Sequence, residues 1–518
     1  MNSIYLLVFG VWFLSSFREV LGLSYFWQLK EYRVDRMNDF LRTSKGFGLI
    51  LSWTNLVRVA LVVALLLSME VVTFWSAVGL GVFTLLALGY SLKTKKLYRP
   101  KRTFRMMIII FLVYVVEILA FIFFKDFLWT LLLLEIVRPF LVSLIVLLIG
   151  IPFGFAKKFV IKKATAKIRS LKNLKVIGIT GSYGKTSTKE FLYDILRNEF
   201  KVVKTPKNVN VDIGVARTVL SDLDEETEVF IVEMGAYKRQ EIDDICQIAN
   251  PTIGILTGIN EQHLSLFGNI ENTIRAKAEL LASLPKNGVA IVNWDNENCH
   301  KALKFNNTEE VVKYGMEGER DVKATGVEQE DGLLKFNVHI GEESEKFEVG
   351  VLGKHYVQNL LGSIYCAYKL GLSLKEISRY AKSCRAVEQS LELFDGKDET
   401  RILDDSYNSN PHGFIAALKT AKDLEAKRVI LVTMGMLELG KKSDELHKKV
   451  AKEIKKVCDK VFVTSQDAFR VFSEDIEDIQ MAEDHKELIR LLDKEIRKGD
   501  LILFENRIPH AVLDHFKK

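Results

Sequence analysis

The sequence predicts an α/β protein: about five apolar membrane helices, then a P-loop ATPase domain and a smaller Rossmann-like C-terminal domain. Three observations carry this expectation. Five apolar runs of about membrane-spanning length fill the first 150 residues. Short apolar strands then alternate with helical stretches to the end of the chain. The first of those strands runs into a glycine-rich loop ending Gly-Lys-Thr.

Charge separates the same two parts. The chain has 72 Lys plus Arg and 66 Asp plus Glu, a net charge of +6. Residues 1–170 hold 22 basic and 8 acidic side chains, or +14; the other 348 hold 50 and 58, or −8. This division excludes one homogeneous soluble domain, a disordered chain and a generally basic nucleic-acid binder. Cys246, Cys299, Cys366, Cys384 and Cys458 all lie in the acidic part. Their number is odd and no two are closely spaced, so neither a disulfide framework nor a zinc knuckle is expected. A reducing compartment fits them.

The apolar runs cover residues 3–27, 48–69, 71–92, 106–124 and 127–150. No basic residue precedes the first and no small-residue cleavage site follows it, so it reads as an anchor rather than a signal peptide. Arg18 and Glu19 interrupt it. Basic residues crowd alternate connections: 30–45, 93–105 and 157–169. By the positive-inside rule, five spans place the N-terminus outside and everything after Pro152 in the cytoplasm. The expected protein is thus multi-pass in the cell membrane, with the lipid bilayer as one partner. Within the runs, Glu135 and Arg138 are three apart and share a helix face. With Glu117 and Arg58 they read as interhelical contacts, or as a polar site for a lipid-linked headgroup.

The expected divisions are 1–150 membrane region, 151–170 basic linker, 171–390 central domain and 391–518 C-terminal domain. In the central domain, strands are expected at 175–180, 229–233, 252–257 and 288–293. Residues 322–349 alternate apolar and polar side chains, which predicts a small antiparallel insert. A helix is expected over 359–370, closed by Gly371. A second strand series follows at 401–403, 428–433, 460–464 and 500–504.

The chemistry starts at the first strand. In Gly178-Ile-Thr-Gly181-Ser182-Tyr-Gly184-Lys185-Thr186-Ser187-Thr188, glycines let the backbone wrap a phosphate and helix-start amides point at it. Lys185 adds a positive charge, and the Thr186 hydroxyl suits Mg²⁺. The loop is shorter than the common P-loop, with Ile179 where its first glycine would be.

This shortened loop resembles that of the Mur ligase family, and an ordered set of motifs continues the likeness. They are Val232-Glu233-Met234-Gly235, Asn260-Glu-Gln-His263, Arg275-Ala-Lys277-Ala-Glu279, Asn293-Trp-Asp295 and Gly353-Lys-His355-Tyr-Val-Gln-Asn359. Asp404-Asp405-Ser-Tyr407-Asn408-Ser-Asn410-Pro411 and Met436-Leu-Glu438-Leu-Gly440, with His447 seven residues on, complete the set. The order looks most like the branch that joins D-alanyl-D-alanine to a UDP-muramoyl-tripeptide. The likeness spans about residues 170–518.

The resemblance implies an ATP- and Mg²⁺-dependent ligase, in which a substrate carboxylate becomes an acyl phosphate and an amine attacks it. It implies a cell-envelope precursor and an amino acid or dipeptide as substrates, and no nucleic acid. It assigns Gly181, Ser182, Gly184, Lys185, Thr186 and Ser187 to the phosphates, and Thr186, Glu233 and His263 to Mg²⁺. Lys277 becomes a carbamylated lysine holding a second metal. Lys185, Glu233, His263 and Lys277 form the catalytic set, Asn359 meets the adenine, and Asp405 lies on the nucleotide side of the domain junction.

Each residue also has a plainer alternative. Glu233 could be an exposed strand-end carboxylate, His263 a turn cap, Lys277 a solvated lysine, Asn359 a helix cap and Asp405 a turn residue. His447 reads as a surface residue.

Departures from the family concern the substrates. The family's first domain, which grips UDP, has no counterpart before Val176, where the membrane region stands. Ser390 replaces an arginine usual ahead of the junction, and Gly435 an acidic residue. Asn208-Val-Asn210 only partly keeps an asparagine cluster, and Glu505-Asn-Arg507 stands where Lys-Gly-Ser is usual. Two alternatives therefore stay open: a ligase that elongates poly-glutamate or modifies a lipid-linked intermediate at the bilayer, and a non-ligase membrane NTPase.

Overall fold

The computed structural model describes residues 3–43, 98–123, 129–330, 332–407 and 409–518, with isolated positions between 46 and 89. The chain divides into two compact units, Met1–Lys158 and Phe159–Lys518.

The first unit is helical among its described residues, with helices Ser3–Leu29, Val34–Leu41 and Phe104–Phe123 and most of Trp129–Ser170. Two described helices, Phe104–Phe123 and Leu133–Ser170, are long and apolar enough to cross a membrane. Their outer faces carry large apolar side chains that no protein covers, such as Phe104 (77% exposed) and Phe140 (74%). The runs expected at 48–69 and 71–92 lie outside the described residues, apart from isolated positions.

Within the runs Glu117, Glu135 and Arg138 are buried, Glu19 is half-buried and Arg18 is exposed, while Arg58 lies outside the described residues. Arg138 is fully buried and donates to Glu117 at 2.7 Å and to Glu19 at 2.7 Å. The sequence paired Arg138 with Glu135 on its own helix. The structure adds two interhelical bonds and draws in Glu19, which had only interrupted the first run. A guanidinium has five donors in a fixed fork, so one arginine can join several helices.

The expected linker at 151–170 has regular structure. It is helix, continuous with the fifth run through to Ser170 despite Pro139 and Pro152. Its last turns bury Ala164 and Ile168 beside Val176 and Val219, and Lys167 donates to the Leu220 carbonyl.

In the second unit, strands β1 (Lys175–Thr180), β2 (Val202–Lys204), β3 (Val229–Met234), β4 (Ile253–Leu256), β5 (Val289–Asn293) and β6 (Glu310–Gly315) pair in parallel. Helices cover both faces, which is why these strands are continuous apolar runs. β7 (Val322–Glu330), β8 (Leu333–Ile340) and β9 (Glu343–Val349) form the expected antiparallel ladder. They are not a separate insert. β7 pairs in parallel with β6, so one nine-stranded sheet runs β2-β3-β1-β4-β5-β6-β7-β8-β9.

The C-terminal sheet contains β10 (Glu392–Asp395), β11 (Arg401–Asp405), β12 (Arg428–Thr433), β13 (Lys460–Val463), β14 (Ile479–Met481) and β15 (Asp500–Glu505). Its order is β10-β11-β15-β12-β13-β14, and only β10 is antiparallel. β15 enters between β11 and β12, so Glu505 ends level with Asp405 on one side and Thr433 on the other. Ligands bind such sheets outside the C-terminal strand ends. The last helix before the C-terminal sheet is Leu374–Ala381, and the first strand of that sheet is β10.

Candidate active site

β1 delivers the chain to Gly181, whose backbone crosses close to the end of β4. A Cβ there would stand 2.1 Å from Thr257 Oγ1 and 2.9 Å from the Gly258 carbonyl. Gly184 precedes the helix Lys185–Leu196 at φ +77°, and a Cβ there would stand 2.3 Å from Asn359 Oδ1. Only glycine meets both demands without strain. The loop therefore presents bare backbone at a helix N-terminus, a cradle for an anion.

Side chains fix that loop. The Ser182 amide donates to the Gly258 carbonyl at 2.6 Å, and the Asn260 amide donates to Ser182 Oγ at 3.1 Å. Lys185 Nζ donates to the carbonyls of Gly181 (2.7 Å) and Ser182 (3.2 Å). Burial lowers the Lys185 pKa, and the Glu233 charge opposes that shift. Thr186 and Ser187 are half-buried and engage the phenols of Tyr407 and Tyr356.

β3 sets Glu233 beside this loop, in register with Ile179. The carboxylate is buried, which removes the exposed-residue alternative. It accepts from Lys189 Nζ at 3.1 Å and from Asn210 Nδ2 at 3.2 Å. Sequence reasoning missed Lys189. The available signal was its place four residues after Lys185, on the same helix face.

Lys277 lies on the helix Ile270–Ser283 and is 3% exposed, so it is not a solvated lysine. Burial first, then the charge of Lys185, bring its pKa down to about 7, while Glu241 and Glu279 oppose them. A neutral amine is the form that can bond carbon dioxide.

His263 sits at φ +58° before the short helix Leu264–Phe267 and caps nothing with its side chain. Its Nδ1 instead meets the Glu438 carboxylate of the C-terminal domain. Its ring lies edge-on to Tyr237, with centroids 4.8 Å apart. Burial lowers its pKa and Glu438 opposes this. The charges of Lys185 and Lys277 both act on it, so the separated motifs converge.

Asn359 is buried in the first half of the helix Tyr356–Lys369, whose N-cap is His355. The capping alternative is therefore wrong: its side-chain amide faces Gly184. Asp405 ends β11 and accepts from the Leu391 amide. Burial and the charge of Asp404 raise its pKa to about 7. Across the register stands Glu505, fully buried, raised further by burial and by Asp405. Sequence reasoning had noted Glu505 only as a departure.

His447 is corrected as well. It is 4% exposed rather than a surface residue. Its Nδ1 donates to the Ser443 carbonyl at 2.8 Å and its Nε2 accepts from the Met436 amide at 3.0 Å. It thereby holds the Met436–Gly440 turn that carries Glu438.

Contacts between the two domains ring the site. Asn260 donates to Asn410 at 2.8 Å, and Tyr183 stacks on His412 with centroids 5.7 Å apart.

Among the described residues no three His, Cys, Asp or Glu side chains form a ready metal cage. The donors assigned to Mg²⁺ still fit it. Thr186 and Glu233 are hard oxygen donors beside the cradle, and a carbamylated Lys277 would add a third. His263 keeps Nε2 for a ligand because Glu438 engages Nδ1.

The fold and the site define a P-loop ligase built from two α/β domains. Residues 179–367 match the Mur ligase middle domain and 391–505 the Mur ligase, glutamate ligase domain. A UDP-N-acetylmuramoyl-tripeptide–D-alanyl-D-alanine ligase of Bacillus subtilis is 30% identical over 340 residues, 64% of this chain and 72% of that protein. The structure of MurF from Acinetobacter baumannii is 25% identical with a TM-score of 0.64, covering 69% of this chain and 80% of that one. The MurF ligase of Thermotoga maritima in complex with ADP is 25% identical with a TM-score of 0.61, covering 69% and 83%. This chain belongs to the Mur ligase family. Its relatives there are ATP-dependent ligases that form amide bonds, which sets aside the non-ligase NTPase.

Proposed function

We propose that this chain is a membrane-anchored ligase that uses ATP and Mg²⁺ to join an amino acid or dipeptide amine to a carboxylate on a cell-envelope precursor. Lys277 carries the proposal: a buried lysine with a pKa of about 7 lies close enough to Lys185 for their charges to interact. A plain nucleotide hydrolase has no use for a neutral lysine there, whereas a carbamate oxygen would complete a metal's ligands.

In the reaction, an acceptor carboxylate oxygen bonds to the γ-phosphorus of ATP and ADP leaves. The amine nitrogen then bonds to the acyl carbon, the acyl C–O bond breaks and phosphate departs, and the surplus ammonium proton passes to solvent. Mg²⁺, held by Thr186, Glu233, His263 and carbamylated Lys277, would offset phosphate charge. The protein's own residues supply position. The Gly181–Thr186 loop orients the phosphates, Lys185 adds charge where oxyanions meet, and Lys189 with Asn210 fixes Glu233. The Asn260–Asn410 and Tyr183–His412 contacts close the two domains and limit water.

The Bacillus subtilis relative's name supports a UDP-muramoyl-tripeptide acceptor and a D-alanyl-D-alanine donor. A second reading, a lipid-linked acceptor, is favoured by the apolar helices Phe104–Phe123 and Leu133–Ser170 in the same chain. The basic residues at 157–169 favour a cytoplasmic position for the catalytic domains. Lys185→Ala should abolish ADP formation while leaving the protein folded; undiminished turnover would refute the proposal.

A further inference from the structure

Glu438 and His263 come from different domains, and both adopt the left-handed backbone region that side chains other than glycine disfavour: φ is +61° for Glu438 and +58° for His263. Residues are held there when the surrounding structure over-determines them, often at functional sites. What holds these two is each other. The Glu438 carboxylate meets His263 Nδ1, and the Glu438 carbonyl accepts the Ser265 amide at 3.1 Å. At Gly440 the same turn comes so close that a Cβ would stand 3.1 Å from Ser265 Cα. Tyr237 closes the other side of the imidazole, and His447 secures the Glu438 turn from behind.

The chemical consequence lies in the tautomer. A carboxylate accepts only, so Nδ1 carries the hydrogen and Nε2 keeps its lone pair. A carboxylate on the far nitrogen fixes ring orientation and raises the basicity of a metal-binding imidazole. Here that carboxylate lies 175 residues away in the other domain. We propose that Glu438 is a positioning residue, through which the C-terminal domain prepares His263 for metal and metal binding in turn favours domain closure. The inference rests on the assignment of His263 as a metal ligand. The reciprocity follows because any contact that raises metal affinity only in the closed form must stabilise that form equally when metal binds. Asn260–Asn410 spans the same junction without touching His263, whereas Lys207–Glu388 lies within the central domain and touches neither, so Lys207 serves as the control that alters neither closure nor metal.

The test uses the full chain in detergent and Mn²⁺ as probe, with the metal's dissociation constant read by electron paramagnetic resonance and thermal melting followed in parallel. Glu438→Ala should weaken Mn²⁺ by about 10–100-fold, and Glu438→Gln, whose amide oxygen still accepts from Nδ1, by clearly less. Lys207→Ala should leave Mn²⁺ affinity unchanged. A Glu438→Ala protein binding Mn²⁺ as wild type does, while His263→Ala binds weakly, would overturn the role of Glu438 and leave the metal site standing. Unchanged affinity in His263→Ala would overturn both.

Discussion

Lys189 and Glu233 form a buried ion pair, 3.1 Å apart, between the helix that follows the P-loop and the end of β3. Both are nearly inaccessible to water, and Glu190 stands 3.4 Å from the same ammonium. Removing one partner of such a pair leaves an uncompensated buried charge. Lys189→Met should therefore destabilise the protein by about 3–5 kcal/mol. Adding Glu233→Gln should recover much of that loss. Denaturant midpoints of the two variants check this, and a double variant no more stable than the single would contradict it.

Lys277 makes stability depend on pH. Its folded pKa of about 7 lies below the ordinary 10.5, so the folded state disfavours the charged form. Between about pH 7 and 10.5 the unfolded chain binds more protons, and stability rises with pH. The cost of the buried amine is complete below that window and gone above it, about 5 kcal/mol in all. Lys277→Met should flatten this rise and raise stability at pH 7 while abolishing ligation. Melting curves from pH 6.5 to 10 measure the slope; an unchanged slope would count against the burial argument. Intact-protein mass spectrometry of wild type in bicarbonate should show one added carbon dioxide, absent in the variant.

The Asp405–Glu505 pair works with the opposite sign. Both carboxyls hold their protons to higher pH in the folded state than in the unfolded. Their cost is absent below the ordinary carboxylate range and grows as pH rises, becoming complete for Asp405 above about pH 7. Glu505→Gln should therefore stabilise by about 1–2 kcal/mol more at pH 8 than at pH 5. Equal effects at the two pH values would contradict this.

Gly184 combines φ +77° with Asn359 Oδ1 at the position a Cβ would approach. Gly184→Ala should cost about 1–3 kcal/mol in strain and weaken ATP binding. Gly184→Ala combined with Asn359→Ala should relieve the collision but keep the backbone penalty, so recovery should be partial. Nucleotide titration of the three proteins checks the order.

Several of these features were legible in the sequence and others were not, for physical reasons. The P-loop was legible because its glycines, lysine and hydroxyls are contiguous and serve one ligand. Glu233, His263, Lys277, Asn359 and Asp405 were legible only through resemblance, since nothing local says that a lysine on an amphipathic helix is buried. Lys189 bonds 44 residues away, and its spacing from Lys185 marks only a shared helix face; Glu438 bonds 175 away and left no local pattern. The alternation over 322–349 revealed its antiparallel ladder. Its union with the main sheet depends on Tyr314 meeting Val322, a pairing no periodicity encodes. His447 was misjudged because no local pattern shows that its ring lies beneath Met436, from whose amide it accepts. The helix through 151–170 was hidden by Pro152 and a dense basic run, which suggest a linker.

The most direct test of ligation is the coupling of ADP release to a new amide. The full-length protein would be incubated with ATP, Mg²⁺, candidate amines and extracted envelope precursors, with ADP and precursor masses followed together. The expected result is one ADP for each precursor that gains the mass of the amine less water, no ADP without amine, and neither product from Lys185→Ala. ADP released at the same rate without amine, and with no precursor gaining mass, would contradict the assignment as a ligase.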